Sequence, residues 1–214
     1  LACKILNKPQ ENDLSELFNE VTLERLPSLI NPEPIRIKIR ETKKLLVTYP
    51  NNPILYVELS RYYSILGQEN SSINAMKVAL HFAPNNRYVL RCATRLFAHY
   101  NYDNNEYLEY IHNYLRKSPM TLIDPWLISA EISIATMRDR TSKFIKNGIA
   151  LINSKNISPF NYTELASSLG TVELLYGGTK KSRDFFYKAL ISPNDNSLAQ
   201  IEWASTHDKQ LDID

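Results

Sequence analysis

The sequence predicts an all-α fold, an α-solenoid of antiparallel helix-turn-helix hairpins. Three observations carry this. Pro50 and Pro84 stand 34 residues apart, Pro84 and Pro119 stand 35 apart, and Pro159 and Pro193 again 34 apart, as a repeated supersecondary unit requires. Only 5 glycines accompany 13 tyrosines, which supplies little for tight β-turns and much aromatic filler for packed helices. Between the prolines, apolar residues recur at the 3 and 4 spacing of one helix face.

Taken in order, residues 13–26 read as a helix with Leu14, Leu17, Phe18, Val21 and Leu26 near one face, and residues 27–34 as a loop. Residues 35–48 are read as a helix, although Ile35, Ile37 and Ile39 also alternate as a strand would. After Pro50 comes a helix over 54–66, with Tyr56, Leu59, Ser60 and Tyr63 on one side. Gly67 stops it, and a second helix over 71–82 places Met76, Ala79 and Leu80 together. Small Ser60 and Ala79 allow the two backbones to approach. From 87 to 118, Leu90, Ala93, Thr94, Phe97 and Tyr110 keep the pattern, without a turn glycine. The next unit is longer. It opens on Asp124 as N-cap and Pro125 at the first helical position, has Trp126 as its aromatic, and ends in a second helix over 141–153. Between Pro159 and Pro193, Leu165, Val172, Phe185 and Ala189-Leu190 recover the pattern, with Gly177-Gly178 read as carrying one extra turn residue. Residues 198–206 look like the first helix of a further unit, with Trp203 facing the stack.

In the unit after Pro50 the chain resembles the tetratricopeptide repeat family. Tyr56, Leu59, Ser60, Tyr63, Gly67, Met76, Ala79 and Pro84 occupy that family's places in register, and Ser72 departs from its usual Ala. The resemblance covers about residues 50–206 and implies a right-handed superhelix. The units fall at about 53–86, 87–121, 122–161 and 162–195, with a first helix over 196–206. Residues 1–49 hold the N-terminal helices, the second readable as the second helix of an earlier repeat, and 207–214 form a tail. Both ends look like unfinished arrays, so the chain is expected to be a segment of a longer protein.

In such arrays the first helices line a concave groove. The resemblance carries the groove to Ile54, Val57, Arg61, Ser64 and Ile65 in one unit and to Tyr88, Arg91, Arg95, Ala98 and His99 in the next, with Glu131 and Glu173 farther along. The expected peptide-binding groove therefore comprises Arg61, Tyr88, Arg91, Arg95, His99 and Glu131. Guanidinium groups there suit a protein or peptide partner, acidic or presenting its C-terminal carboxylate. The family's carboxylate clamp needs Lys and Asn where this chain has Val57 and Arg61, so that clamp is not implied. The expected function is a non-catalytic protein-interaction scaffold or adaptor, free-standing or the regulatory segment of a longer protein.

Other classes draw less support. A net charge of +2 is too small for a general polyanion binder, so nucleic acid is a disfavoured partner. The alternative of a nucleic-acid-associated helical repeat rests on Arg36, Lys38, Arg40, Lys43 and Lys44, which no stacking aromatic interrupts. His81, His99, His112 and His207 lack ligand spacing to one another or to Cys3 and Cys92, so neither a metal nor a cofactor is implied. Residues 177–182 superficially resemble a phosphate loop, but with the wrong spacing and after a helix where a strand is needed. Glu106 and Glu109, like Glu16 and Glu20, are carboxylates at helical spacing with nothing apolar placed to tune them, so no enzyme is read here. No run of 18 apolar residues exists to span a bilayer. Two cysteines without CxxC spacing fit a cytoplasmic protein. The opening Leu1-Ala2-Cys3-Lys4 is similar to the end of a lipoprotein signal, which leaves a periplasmic or lipid-anchored location through Cys3 open. Oligomeric state is left open.

Overall fold

The computed structural model describes residues 2–7, 31–99, 105–154 and 156–192. The helices expected over 13–26 and 196–206, and the tail, lie outside the described residues. Among the described residues there are ten α-helices, one 3-10 turn and no strand. The chain divides into two compact units, one from Ser15 to Tyr114 and one formed by Leu1–Leu14 with Leu115–Asp214.

A short helix α1, Ala2–Leu6, opens the chain. The first described helix of the Ser15–Tyr114 unit is α2, Glu33–Thr48. The helical period, not the strand alternation, is realised there: Ile39 and Thr42 are buried and Ile35 and Leu46 half-buried on one face, while Ile37 is 42% exposed. Helix α3, Pro53–Ile65, begins at Asn52, whose side chain accepts from the Ile54 N–H while Pro53 supplies a helical φ with no N–H to satisfy. Gly67 ends it with φ 69°, a left-handed backbone that a side chain would strain.

Helix α4, Glu69–Phe82, returns antiparallel to α3: Tyr56 meets Phe82 at one end, 5.7 Å between ring centroids, and Ser60 meets Ser72 nearer the turn. Ser72 does more there than stay small. Its hydroxyl donates to the Ser60 carbonyl at 2.8 Å and lies 3.1 Å from the Ser60 hydroxyl, both residues fully buried. A buried hydroxyl without a partner would cost about 1–3 kcal/mol, so the pair fixes how α3 and α4 meet. Helix α5, Arg87–His99, is capped by Asn86, whose side chain accepts from Tyr88 and Val89 N–H groups. Helix α6, Asn105–Lys117, packs on it through Phe97, stacked on Tyr107 at 5.9 Å and edge-on to Tyr110 at 5.5 Å. The division between the two units passes through α6 at Leu115.

In the other unit a 3-10 turn at Pro119–Leu122 leads to α7, Pro125–Met137. Asp124 is the expected N-cap: it is buried, and one carboxylate oxygen accepts from Trp126 and Leu127 N–H groups at 2.9 and 3.1 Å. Helix α7 ends on Asp139 at φ 52°, with the Arg140 N–H returning to the Ala135 carbonyl. The extra length of this unit lies in the seven residues 138–144, so α8 starts later than the 141 expected, as Ile145–Ser154. Helices α9, Pro159–Tyr176, and α10, Thr179–Leu190, form the second tight antiparallel hairpin. Thr163 donates to the Ala189 carbonyl and Ser192 to the Pro159 carbonyl at one end, and Ser182 to the Gly170 carbonyl at 2.8 Å toward the turn.

Gly170 and Ser182 are 12 residues apart, as are Ser60 and Ser72. The turn at Gly177-Gly178 therefore carries no extra residue, which corrects the sequence reading; the two hairpins share one internal register. Helix α7 packs on α9 through hydroxyls: Ser129 donates to the Glu164 carbonyl at 3.1 Å and lies 2.7 Å from Ser168, which is 3.0 Å from Ser133. Ala2 and Leu6 of α1 join Ile128, Ile132, Phe144, Leu165, Leu169 and Phe186 in this unit's apolar core. Cys3 is buried in the same helix, a position that does not present its sulfur to solvent.

Candidate peptide-binding face

The Ser15–Tyr114 unit brings Arg61 of α3 and Tyr88 and Arg95 of α5, three of the residues singled out on these helices, into one neighbourhood. On α3, Glu58 and Arg61 stand one turn apart, Glu58 half-buried and Arg61 exposed. On α5, Tyr88, Cys92 and Arg95 follow one another at helical spacing, with Tyr88 47% exposed, Cys92 half-buried and Arg95 exposed. Their electrostatics show that the two helices share this neighbourhood. Burial pushes the Cys92 thiol up, against the opposing pull of a hydrogen bond with Tyr88 and of the Arg95 charge; Glu58 adds to the rise and Arg61 opposes it. Tyr88 is likewise raised, first by burial, then by Cys92 and Glu58, with Arg61 opposing. On the near side of Glu58, Tyr62 is raised by burial and by its hydrogen bond to the Glu58 carboxylate.

The result is one neighbourhood that holds the exposed Arg61 and Arg95, the half-exposed Tyr88 phenol, the Cys92 thiol and the Glu58 carboxylate. Arg91 lies on the same helix, half-buried. Chemically the patch suits an anionic group that can take the guanidinium forks and the phenol hydroxyl, while Glu58 limits the net positive charge. From the sequence, neither Glu58 nor Cys92 was placed on this face. The signal for both was present in the i,i+3 pair Glu58–Arg61 and the i,i+4 pair Tyr88–Cys92.

Other expected groove positions fall elsewhere. Val57 is 3% exposed, part of the core. Glu131 is fully buried in α7, where its carboxylate accepts from the Ser142 hydroxyl and Ser142 in turn accepts from the Phe144 N–H. It anchors the 138–144 loop from inside and is not a groove residue, because the loop that follows α7 folds back so that Ser142 meets its carboxylate. His99 is the last residue of α5, and its side chain lies outside what is described.

The basic cluster of α2 is engaged within the chain. Arg40 and Arg36 pair with Glu33 at 2.6 and 3.9 Å, and the Lys38 and Lys43 ammoniums sit 5.8 Å over the rings of Tyr62 and Tyr63. The aromatics absent from the cluster in sequence thus come from α3. Among the described residues no group of three or more His, Cys, Asp or Glu could hold a metal ion, and no helix is long and apolar enough to cross a membrane. No family model, no curated protein and no solved structure matches the chain.

Proposed function

We propose that the chain is a non-catalytic interaction scaffold or adaptor, a divergent tetratricopeptide-like solenoid that holds an acidic or C-terminal peptide on the α3/α5 face. The observation that supports this is the shared neighbourhood of Arg61, Tyr88, Cys92 and Arg95, with both arginines and the tyrosine exposed. Arg61 and Arg95 take the peptide carboxylates, Tyr88 offers its ring and hydroxyl, and Arg91 extends the charge along α5. Such a surface needs no cofactor and performs no reaction.

The test is fluorescence anisotropy with labelled acidic peptides, each in free-acid and C-terminally amidated form. Arg61→Glu combined with Arg95→Glu abolishes binding without loss of helical circular dichroism, and neutralising Lys43 and Lys44 leaves it intact. Equal binding by the doubly reversed variant overturns the assignment. A salt titration against generic RNA addresses the alternative of nucleic-acid association, since phosphate contacts weaken steeply as salt rises.

A further inference from the structure

The turn between α6 and α7 buries its polar side chains and exposes its apolar ones, the reverse of the usual order. Ser118 accepts from the Met120 N–H, the Thr121 N–H returns to the Ser118 carbonyl, and the Ile123 and Asp124 N–H groups return to the Met120 carbonyl, so residues 118–124 are tightly folded. Ser118, Thr121 and Asp124 are buried, Asp124 as the cap of α7. Pro119 is exposed and Met120 half-buried, while Leu122 and Ile123 are 52% and 68% exposed. Neither Leu122 nor Ile123 joins the apolar core that holds Ile128, Ile132 and Leu165, so packing there does not account for two adjacent apolar residues at these positions.

Cations gather at the same place. Helix α6 ends in Arg116 and Lys117, both exposed, and the exposed Lys143 donates its ammonium to the Arg116 carbonyl at 2.9 Å. Positive charge complements the carbonyl end of a helix. Among the described residues, however, no carboxylate pairs with any of the three, and from Arg116 to Asp124 the only acidic residue is the buried cap itself.

We propose that this turn is a contact for an anionic lipid surface, with Leu122 and Ile123 entering between headgroups while Arg116, Lys117 and Lys143 meet lipid phosphates. The uncompensated cations set the sign of the partner, and the small apolar area sets its kind. A stable protein partner takes about 800 Å² from each side, far more than two side chains on a turn present. A bilayer needs no matching relief: apolar side chains leave water at the headgroup boundary, and lysine and arginine stems lie along it with their charges at phosphate level. Two apolar residues with three cations make a reversible, salt-sensitive contact. The turn lies in the unit that contains Leu115–Asp214 and the α3/α5 face in the other, so this contact does not rest on the peptide reading.

Flotation of the full chain with phosphatidylcholine vesicles containing phosphatidylglycerol, against phosphatidylcholine alone, tests it. Binding is expected with the anionic vesicles only. It should weaken about fivefold for each of Arg116→Gln and Lys117→Gln, disappear with Leu122→Ser plus Ile123→Ser, and survive Lys43→Gln plus Lys44→Gln. An Ile123→Trp chain should add blue-shifted emission that brominated acyl chains quench. No flotation with anionic vesicles, or equal flotation without anionic lipid, overturns the proposal. Flotation indifferent to the serine pair also overturns it, since adsorption is then by charge alone. So does a lipid-free dimer in sedimentation that the serine pair dissolves, because the occupant is then a second copy. If the serine pair loses helical circular dichroism, the Ile123→Trp chain decides, and emission that brominated vesicles leave unquenched refutes insertion.

Discussion

The Gly170–Phe186 contact yields a perturbation whose sign depends on its neighbour. A Cβ added at Gly170 would stand 2.9 Å from two Phe186 ring atoms and 3.0 Å from a third, against a ring with no exposed surface into which it could swing. Forcing one methyl into such a core costs about 1–3 kcal/mol. Alanine in place of glycine inside a helix returns about 1 kcal/mol of propensity. Gly170→Ala is therefore expected to cost up to about 2 kcal/mol in the natural background. In a Phe186→Leu background the ring is gone, the overlap with it, and the propensity gain remains: the same change should stabilise by up to about 1 kcal/mol. Equilibrium urea unfolding of the four proteins, followed by circular dichroism, measures the cycle. A stabilising Gly170→Ala in the Phe186 background, or equal effects in both, would refute the close approach of α9 to α10 as the reason for glycine there.

Asp124→Ala removes the acceptor for two N–H groups at the head of α7 and should cost about 1–2 kcal/mol by urea midpoint, with Asp124→Ser recovering part of it. Glu131→Ala deprives the buried Ser142 hydroxyl of its acceptor and should lose about 1–3 kcal/mol, with faster proteolysis within 138–144; an indifferent variant would return Glu131 to the surface. Alkaline pH should destabilise the Ser15–Tyr114 unit. Tyr62, Tyr88, Cys92 and Tyr110 are all raised, so the folded chain holds their protons more tightly than the unfolded one; their stabilisation is complete below the ordinary values and is lost as pH rises above about 9. Urea midpoints measured upward from neutral pH should fall, and Cys92→Ser should remove the part in the thiol range. The same shift makes Cys92 a slow thiol: its reaction with a disulfide reagent should rise with pH later than that of a free cysteine.

The helical class was legible because local signals agreed with one another. Asn52-Pro53, Asp124-Pro125 and Ser158-Pro159 each join a capping side chain to a proline that needs no N–H partner, and each opens a helix where the pattern placed one. Gly67 was readable for the same reason, since only its φ required it. What the residues concealed was phase. Ile35 and Ile39 belong to both the strand and the helix pattern, and only burial of Thr42 with half-burial of Leu46 shows that the period of 3.6 governs α2. Val57 and Glu131 were misplaced because groove positions were counted along helices whose rotation is set by tertiary contacts. For Glu131 the decisive contact comes from Ser142 in a loop of unusual length. On the candidate face Arg61, Tyr88 and Arg95 were singled out from the sequence, while the nearness of Glu58 and Cys92 to them depends on how α3 and α5 lie side by side.

The hydroxyls between α7 and α9 bear on how this protein could be recombined. Ser129, Ser133 and Ser168 meet through directional bonds and the Glu164 carbonyl, unlike the apolar faces that let one helical repeat be exchanged for another of similar volume. Replacing either helix alone would strand hydroxyls that cannot find new acceptors by sliding along an apolar groove. Because Thr163, Ser182 and Ser192 tie α9 to α10 in the same way, residues 124–192 form the smallest block that could be grafted into another helical array, and a chimera joined between α8 and α9 would inherit a mismatched seam.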